Sequence, residues 1–171
     1  MSLESNKTLF QIKQKIYDPC EMKMTEFENE TESQDYFASR FALNGLQLLS
    51  RNSKLTPKKI GQFVTFWKRN KNNPIEPFHE NDSFDFLIVN TKMENRYGQF
   101  VFPKAILIRK GILSTERKEG KRGFRVYPSW DIVSSKLAER TQKWQLNYFY
   151  EIDSSIAQEK AVELYKKQDY L

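Results

Sequence analysis

Residues 98–127 read GQFVFPKAILIRKGILSTERKEGKRGFRVY, and the rest of the chain is arranged around this stretch. It begins as an apolar strand over 99–102, continues through Pro103 into the buried-looking apolar run 105–108, breaks at Gly111 and ends in a cationic loop. Between positions 104 and 125 eight Lys and Arg residues face only two Glu residues. A buried strand that feeds a cationic loop is typical of a protein that binds a phosphate backbone. One such loop alone is more often a solvated surface loop than a binding site.

A second basic segment makes the binding hypothesis stronger. Residues 51–71 carry seven Lys and Arg residues and no carboxylate. Over residues 51–125, seventeen Lys and Arg against seven Asp and Glu give a net charge of +10, whereas residues 1–50 carry −3 and residues 126–171 carry −1. A cationic unit between slightly acidic ends favours a polyanionic partner, and nucleic acid is the first candidate.

Several function classes are disfavoured by composition. Cys20 is the single cysteine and His79 the single histidine, which argues against a disulfide framework, a thiolate or histidine zinc site, and a Ser-His or Cys-His nucleophile. No run approaches the roughly 20 apolar residues of a membrane span, and the first residues lack the apolar core of a signal peptide. We therefore expect a cytoplasmic protein without a membrane partner and without a cofactor.

The order of the predicted elements gives the fold class. The 171 residues suffice for one domain with its own core. Periodicity and turn signals predict a helix over 6–17, an acidic surface connection over 21–35, a hairpin of 36–43 with 46–51 around Asn44-Gly45, a strand over 62–69, a loop over 72–83, a hairpin over 84–102, a strand over 123–127, and helices over 136–151 and 154–167. We predict a single α+β domain over 1–171, with a mainly antiparallel or mixed central sheet flanked by helices.

Many short segments of the chain also resemble a known family. They are LNGL, TPKKIGQFVTFWKR, IEPF, FDF, GQFVFPK, KGILS, KEGKRGFRVYPSWD and TQKWQLNYF. Together they cover about residues 36–150, and this core resembles the MepB family, small bacterial proteins named from a multidrug-efflux locus. The resemblance implies a cytoplasmic single-domain protein with a core similar to the PD-(D/E)xK restriction endonucleases, and it implies nucleic-acid binding.

The resemblance to nucleases can be compared with individual residues. Such enzymes place an Asp at the start of one hairpin strand and a (Glu/Asp/Gln)-x-Lys on its partner, where the carboxylates hold a divalent cation. Asp85 and Lys104 occupy these places, but Phe102 stands where the second carboxylate belongs. Glu76 and Asp82 remain as possible migrated carboxylates. The sequence thus favours a core that binds without efficient catalysis.

Cations and one aromatic side chain form the predicted nucleic-acid contacts. They are Lys58, Lys59, Trp67, Lys68, Arg69, Lys118, Lys121, Arg122, Arg125 and Lys143. The favoured hypothesis is a nucleic-acid-binding protein, for DNA or RNA, with a basic groove on a nuclease-like core. One alternative is a nuclease that uses Asp85, Lys104 and Mg²⁺, and another is a module that binds an acidic protein.

Overall fold

The computed structural model describes residues 2–166, in which helices and two sheets form three layers. The helices are α1 (Lys7–Ile12, continued by a π-helical turn over Lys13–Tyr17), α2 (Lys104–Arg109), α3 (Lys136–Gln145) and α4 (Ala157–Lys166). The strands are β1 (Met24–Asn29), β2 (Ser39–Leu43), β3 (Leu46–Asn52), β4 (Lys54–Leu55), β5 (Gln62–Thr65), β6 (Phe86–Met93), β7 (Arg96–Pro103), β8 (Gly123–Val126) and β9 (Phe149–Glu151).

The large sheet has the strand order β1-β2-β3-β6-β7-β9, and the small sheet has the order β4-β5-β8. All pairs are antiparallel except β3 with β6. The prediction of an α+β fold with a mixed sheet is confirmed. None of the helices within residues 2–166 has the length and apolar character needed to cross a bilayer.

The hairpin of β6 and β7 is the centre of the core, because both of its faces are covered. Residues 86–91 of β6 and 98–103 of β7 are buried without alternation, a pattern typical of a strand enclosed on both sides. On one face the ring of Phe86 lies 5.7 Å from that of Tyr165 on α4. On the other face the ring of Phe102 lies 6.2 Å from that of Phe124 on the small sheet.

Local signals explain the elements that the sequence predicted well. The Asn6 side chain caps α1 by accepting a hydrogen bond from the Leu9 N–H at 3.1 Å. The β2–β3 turn uses positive φ at both Asn44 and Gly45, the geometry that an Asn-Gly hairpin favours. The predicted hairpin over 84–102 is β6 with β7, which pair from Phe86↔Pro103 to Met93↔Arg96.

Several elements differ from the prediction. The strand predicted over 62–69 is β5, which ends at Thr65 because its ladder with β8 ends at Thr65↔Gly123. The strand predicted from 36 begins only at Ser39, and β4 was not predicted.

The expected surface connection over 21–35 contains β1, an edge strand whose burial does not alternate because a register shift interrupts its pairing with β2. The apolar run 105–108, which its sequence pattern assigned to no element, forms the short helix α2, since β6 begins at Phe86 opposite Pro103 and offers no partner beyond it. The helix predicted over 136–151 ends at Gln145, and its last residues form β9 beside β7. The helix predicted over 154–167 is α4, and position 167 lies outside the described residues.

A buried polar cluster joins the helices to the central hairpin. The Gln99 Oε1 atom accepts hydrogen bonds from the hydroxyls of Tyr150 at 2.7 Å and Tyr165 at 2.6 Å. The Gln99 amide nitrogen donates to the Tyr17 hydroxyl at 3.0 Å and to Asn90 Oδ1 at 2.8 Å. Burial raises the pKa of each of the three tyrosines. The cluster is therefore stable only while these hydroxyls keep their protons.

This cluster predicts unfolding at alkaline pH. An unfolded tyrosine loses its proton near pH 10, whereas the three buried ones hold theirs to higher pH, so the unfolded state binds fewer protons above about pH 10. The free energy of unfolding should be constant with respect to these groups below pH 10. Above it, the free energy should fall by about 1.4 kcal/mol per pH unit for each tyrosine.

Urea denaturation at several pH values between 8 and 11.5 measures this dependence. In Tyr165→Phe, the free energy of unfolding should fall less steeply with pH above pH 10, by the roughly 1.4 kcal/mol per pH unit that one tyrosine contributes. Full tyrosinate absorbance from all eight tyrosines with an unchanged native circular-dichroism signal would contradict the prediction.

Candidate nucleic-acid interface

Pairing of β5 with β8 brings the two basic segments together. The register joins Gln62↔Val126 and Val64↔Phe124, and these residues point inward and are buried, apart from slight exposure of Phe124. The residues of the intervening pairs, such as Phe63↔Arg125, lie on the outer side of the sheet. The Phe66 N–H also donates to the Arg122 carbonyl at 2.9 Å, which extends the pairing towards the two cationic loops.

The outer side of this small sheet interleaves aromatic rings with cations. Phe63 pairs with Lys54 on one side and with Arg125 on the other. The Lys54 ammonium lies 4.9 Å from the centroid of the Tyr36 ring, which in turn lies 6.5 Å from that of Phe63. The Phe63 ring crosses Gly123 so closely that a Cβ at that position would lie 2.6 Å from Phe63 Cζ. We call this surface, together with the exposed Lys58, Lys59, Lys118 and Lys121 of the adjoining loops, the basic face.

A groove of about 300 Å³ runs along the basic face between β8 and α3. We call it the β8–α3 groove. Its lining residues are Lys110, Ile112, Lys121, Gly123, Phe124, Arg125, Tyr127, Leu137, Thr141, Trp144 and Gln145. Three of these residues are cations and none is a carboxylate. In the described part of the chain, no ion pair joins Lys110, Lys121 or Arg125 to an acid.

Gln145 fixes the width of the groove. Its fully buried side chain accepts from the Tyr127 N–H at 2.9 Å and donates to the Arg125 carbonyl at 2.9 Å. The amide thereby takes the place that a neighbouring strand would have at the edge of β8, and it ties α3 to the sheet. Arg125 is itself held by Thr56 Oγ1 at 2.7 Å and by the Ile60 carbonyl at 3.2 Å.

The predicted contact residues separate into two groups. Lys121 and Arg125 line the groove, and Lys58, Lys59 and Lys118 are exposed on the loops beside the small sheet. Lys143 is exposed on α3 and does not line the groove, whereas Lys110, which was not among the predicted contacts, does. Lys110 is part of the basic run 104–125, but only the tertiary structure reveals its position beside α3.

The other group is largely neutralised by acids. Lys68 forms ion pairs with Asp82 at 2.8 Å and Glu76 at 3.7 Å, and Arg69 pairs with Glu32 at 2.8 Å. Trp67, Lys68 and Arg69 line a larger cavity of about 520 Å³ together with Glu28, Glu30, Glu32 and Asp82. Arg122 pairs with Glu119 at 3.0 Å.

The candidate catalytic pair, Asp85 and Lys104, has structural partners. The Asp85 carboxylate accepts from the Gln47 N–H at 2.8 Å, and the Asp85 N–H donates to the Gln47 carbonyl at 2.8 Å. The Lys104 ammonium donates to the Asp82 carbonyl and lies 5.2 Å from the centroid of the Phe84 ring. Phe102 is fully buried. Among residues 2–166, no group of three His, Cys, Asp or Glu side chains is arranged to hold a metal ion.

The fold and this surface define an α+β protein with a cationic face on its smaller sheet. A family model described as MepB-like matches residues 30–151, and the chain belongs to this family, as its motifs predicted. A crystal structure of MepB is 35% identical in sequence and superposes with a TM-score of 0.77, covering 91% of this chain and all of the other.

A second solved structure, the bacterial homing endonuclease I-Ssp6803I, aligns over 94% of this chain and 93% of its own. Its identity is 15% and its TM-score 0.45. No curated protein matches the chain.

The Gln145 side chain should stabilise the packing of α3 on β8. In Gln145→Leu the Tyr127 N–H and the Arg125 carbonyl lose their partner, so the free energy of unfolding should fall by about 2–4 kcal/mol. Lys143→Ala, an exposed change on the same helix, should alter it by less than about 0.5 kcal/mol. Urea denaturation compares the two variants, and equal stability would show that the amide does not hold α3 to β8.

A second prediction tests the structural role of Asp85. Asp85→Ala removes the acceptor of the Gln47 N–H and should cost about 1.5–3 kcal/mol, the range for a hydrogen bond to a charged group. Asp85→Asn keeps an oxygen at this place and should retain most of the stability. Thermal and urea denaturation measure the stability of both variants. An Asp85→Ala variant as stable as the wild type would contradict this structural role.

Proposed function

We propose that this protein binds nucleic acid through the basic face, by contacts to the phosphate backbone and without strong sequence readout. The observation that carries the proposal is the β5–β8 pairing, which sets two basic segments side by side on an outward surface. Lys58 and Lys59 of the first segment and Lys121 and Arg125 of the second thus lie on or beside the same small sheet.

The distribution of ion pairs supports this choice of surface. Within the described residues, Lys58, Lys59, Lys110, Lys121 and Arg125 are not ion-paired with carboxylates. Their charge is thus available to displace the counterions of a polyanion, which is the main source of affinity in non-specific nucleic-acid binding. The proposal includes the cytoplasmic location expected from the sequence, where nucleic acid is accessible.

The test is the dependence of the dissociation constant on salt. Binding of a labelled oligonucleotide should weaken steeply between 50 and 300 mM NaCl, with a linear log–log plot. The triple variant Lys58→Gln, Lys59→Gln, Lys121→Gln removes three exposed charges from the basic face. This variant should bind the oligonucleotide at least about tenfold more weakly. The slope of log Kd against log salt concentration should be smaller by about 2–3, since each lost phosphate contact contributes about 0.7–0.9.

A matched control carries Lys7→Gln, Lys23→Gln and Lys166→Gln, three exposed lysines that belong neither to the small sheet nor to its loops: Lys7 begins α1, Lys23 directly precedes β1, and Lys166 ends α4. This variant has the same net charge but should keep nearly the wild-type slope. An equal loss in both triple variants would show that no particular face binds. Lack of binding by the wild type even at the lowest salt would refute the proposed function.

A further inference from the structure

We infer that the β8–α3 groove holds one unpaired nucleobase, so that the protein prefers single-stranded to double-stranded nucleic acid. This inference rests on the proposed function and deepens it. A volume of about 300 Å³ lies at the lower limit of small-molecule sites. The groove therefore suits a single nucleotide, whereas a duplex keeps its bases stacked in its interior.

The walls of the groove are aromatic and aliphatic, which contact with phosphate alone would not require. Tyr127 and Trp144 provide rings, and Leu137 keeps 68% of its surface exposed although it is apolar. Bases stack on such side chains with little regard to sequence, because every base has a π-face. An unpaired base would cover this surface and remove it from water.

The Trp144 ring is held in place before any ligand arrives. It lies 5.5 Å from the ring of the buried Phe102 and 6.5 Å from that of Tyr148. Packing of this kind leaves little side-chain freedom to lose on binding. The Gln145 amide, already committed to the backbone of β8, fixes the distance between the two walls.

The charges of the groove suit the remainder of a nucleotide. The Lys110 ammonium lies 5.3 Å from the centroid of the Trp144 ring, so a positive charge lies beside the stacking surface. Lys121 and Arg125 line the same groove, and no carboxylate does. A base against Trp144 would thus have its flanking phosphates within a cationic environment. The Thr141 hydroxyl, also in the lining, offers a donor and an acceptor that any base edge can use.

Four probes of equal length test the inference at one salt concentration: a single-stranded DNA, the same strand in a duplex, an abasic DNA strand, and a single-stranded RNA of the same sequence. The abasic strand keeps the phosphates and lacks only the bases. We expect the wild type to bind the base-bearing single strands about 5-fold to 150-fold more tightly than the abasic strand, which is the range for one base stack. The RNA and DNA arms show which source of unpaired bases binds better.

Variants locate the effect in the groove. Trp144→Leu keeps an apolar side chain against Phe102 but removes the indole ring. The ratio of the dissociation constants for the abasic and the base-bearing strand should therefore fall towards one, while binding of the abasic strand stays unchanged. Leu137→Glu should also lower the preference for base-bearing strands. Because Leu137 is exposed, this change should not impair folding. Its control is Ile132→Glu, because Ile132 is 88% exposed and does not line the groove.

The outcomes separate this inference from the proposed function. If the wild type binds abasic and base-bearing strands equally, or binds the duplex as tightly as the single strand, the base site is refuted and backbone binding remains. If both groove variants keep the wild-type preference, the base site is also refuted. If none of the four probes binds, both proposals fail.

Discussion

Burial of the β6–β7 hairpin on both faces is the constraint on which the other layers depend. A hairpin that is apolar on both sides must be covered twice, and burial of its side chains supplies a large part of the driving force for folding. Helices α1 and α4 cover one face, and the small sheet of β4, β5 and β8 covers the other. Because strand side chains alternate, a sheet whose inner positions are taken by Val64 and Phe124 must direct Arg125 outward. The cationic surface is therefore a consequence of how the core is closed.

The two covers differ in chemistry. On the helical side the Gln99 amide and three tyrosine hydroxyls form a hydrogen-bonded cluster, in which each polar group has a defined partner. Such a cluster permits only one arrangement of α1 and α4 against the sheet, since a shifted helix would leave buried polar groups unsatisfied. On the other side Arg51 is fully buried, donates to Glu30 at 3.0 Å and lies over the Phe66 ring at 5.7 Å. This arginine belongs to the upstream basic segment in sequence but has no role on the surface.

The sequence predicts those elements whose side chains have a regular pattern. Leu9, Ile12 and Ile16 at helical spacing mark α1, and the continuous apolar run of β6 marks the core hairpin. Strand β1 escapes prediction because an interrupted edge strand keeps mostly polar, solvated positions, and α2 because a short apolar run fits either a strand or a helix. The cations of the site are visible in the sequence as a composition, but their convergence depends on the long-range pairing of β5 with β8. Nothing local marks Gln145 as the residue that closes the groove.

Cavity size and charge point to different places on this molecule, and charge decides between them. The cavity of about 520 Å³ beside Trp67 is the larger, yet four carboxylates line it against three cations, and its Lys68 and Arg69 already have acidic partners. A polyanion entering there would have to displace these acids, at a cost that the remaining attraction would not offset. The β8–α3 groove, smaller by almost half, brings three cations and no acid to an aromatic wall. Since affinity for nucleic acid arises first from uncompensated positive charge, the smaller groove is the better candidate.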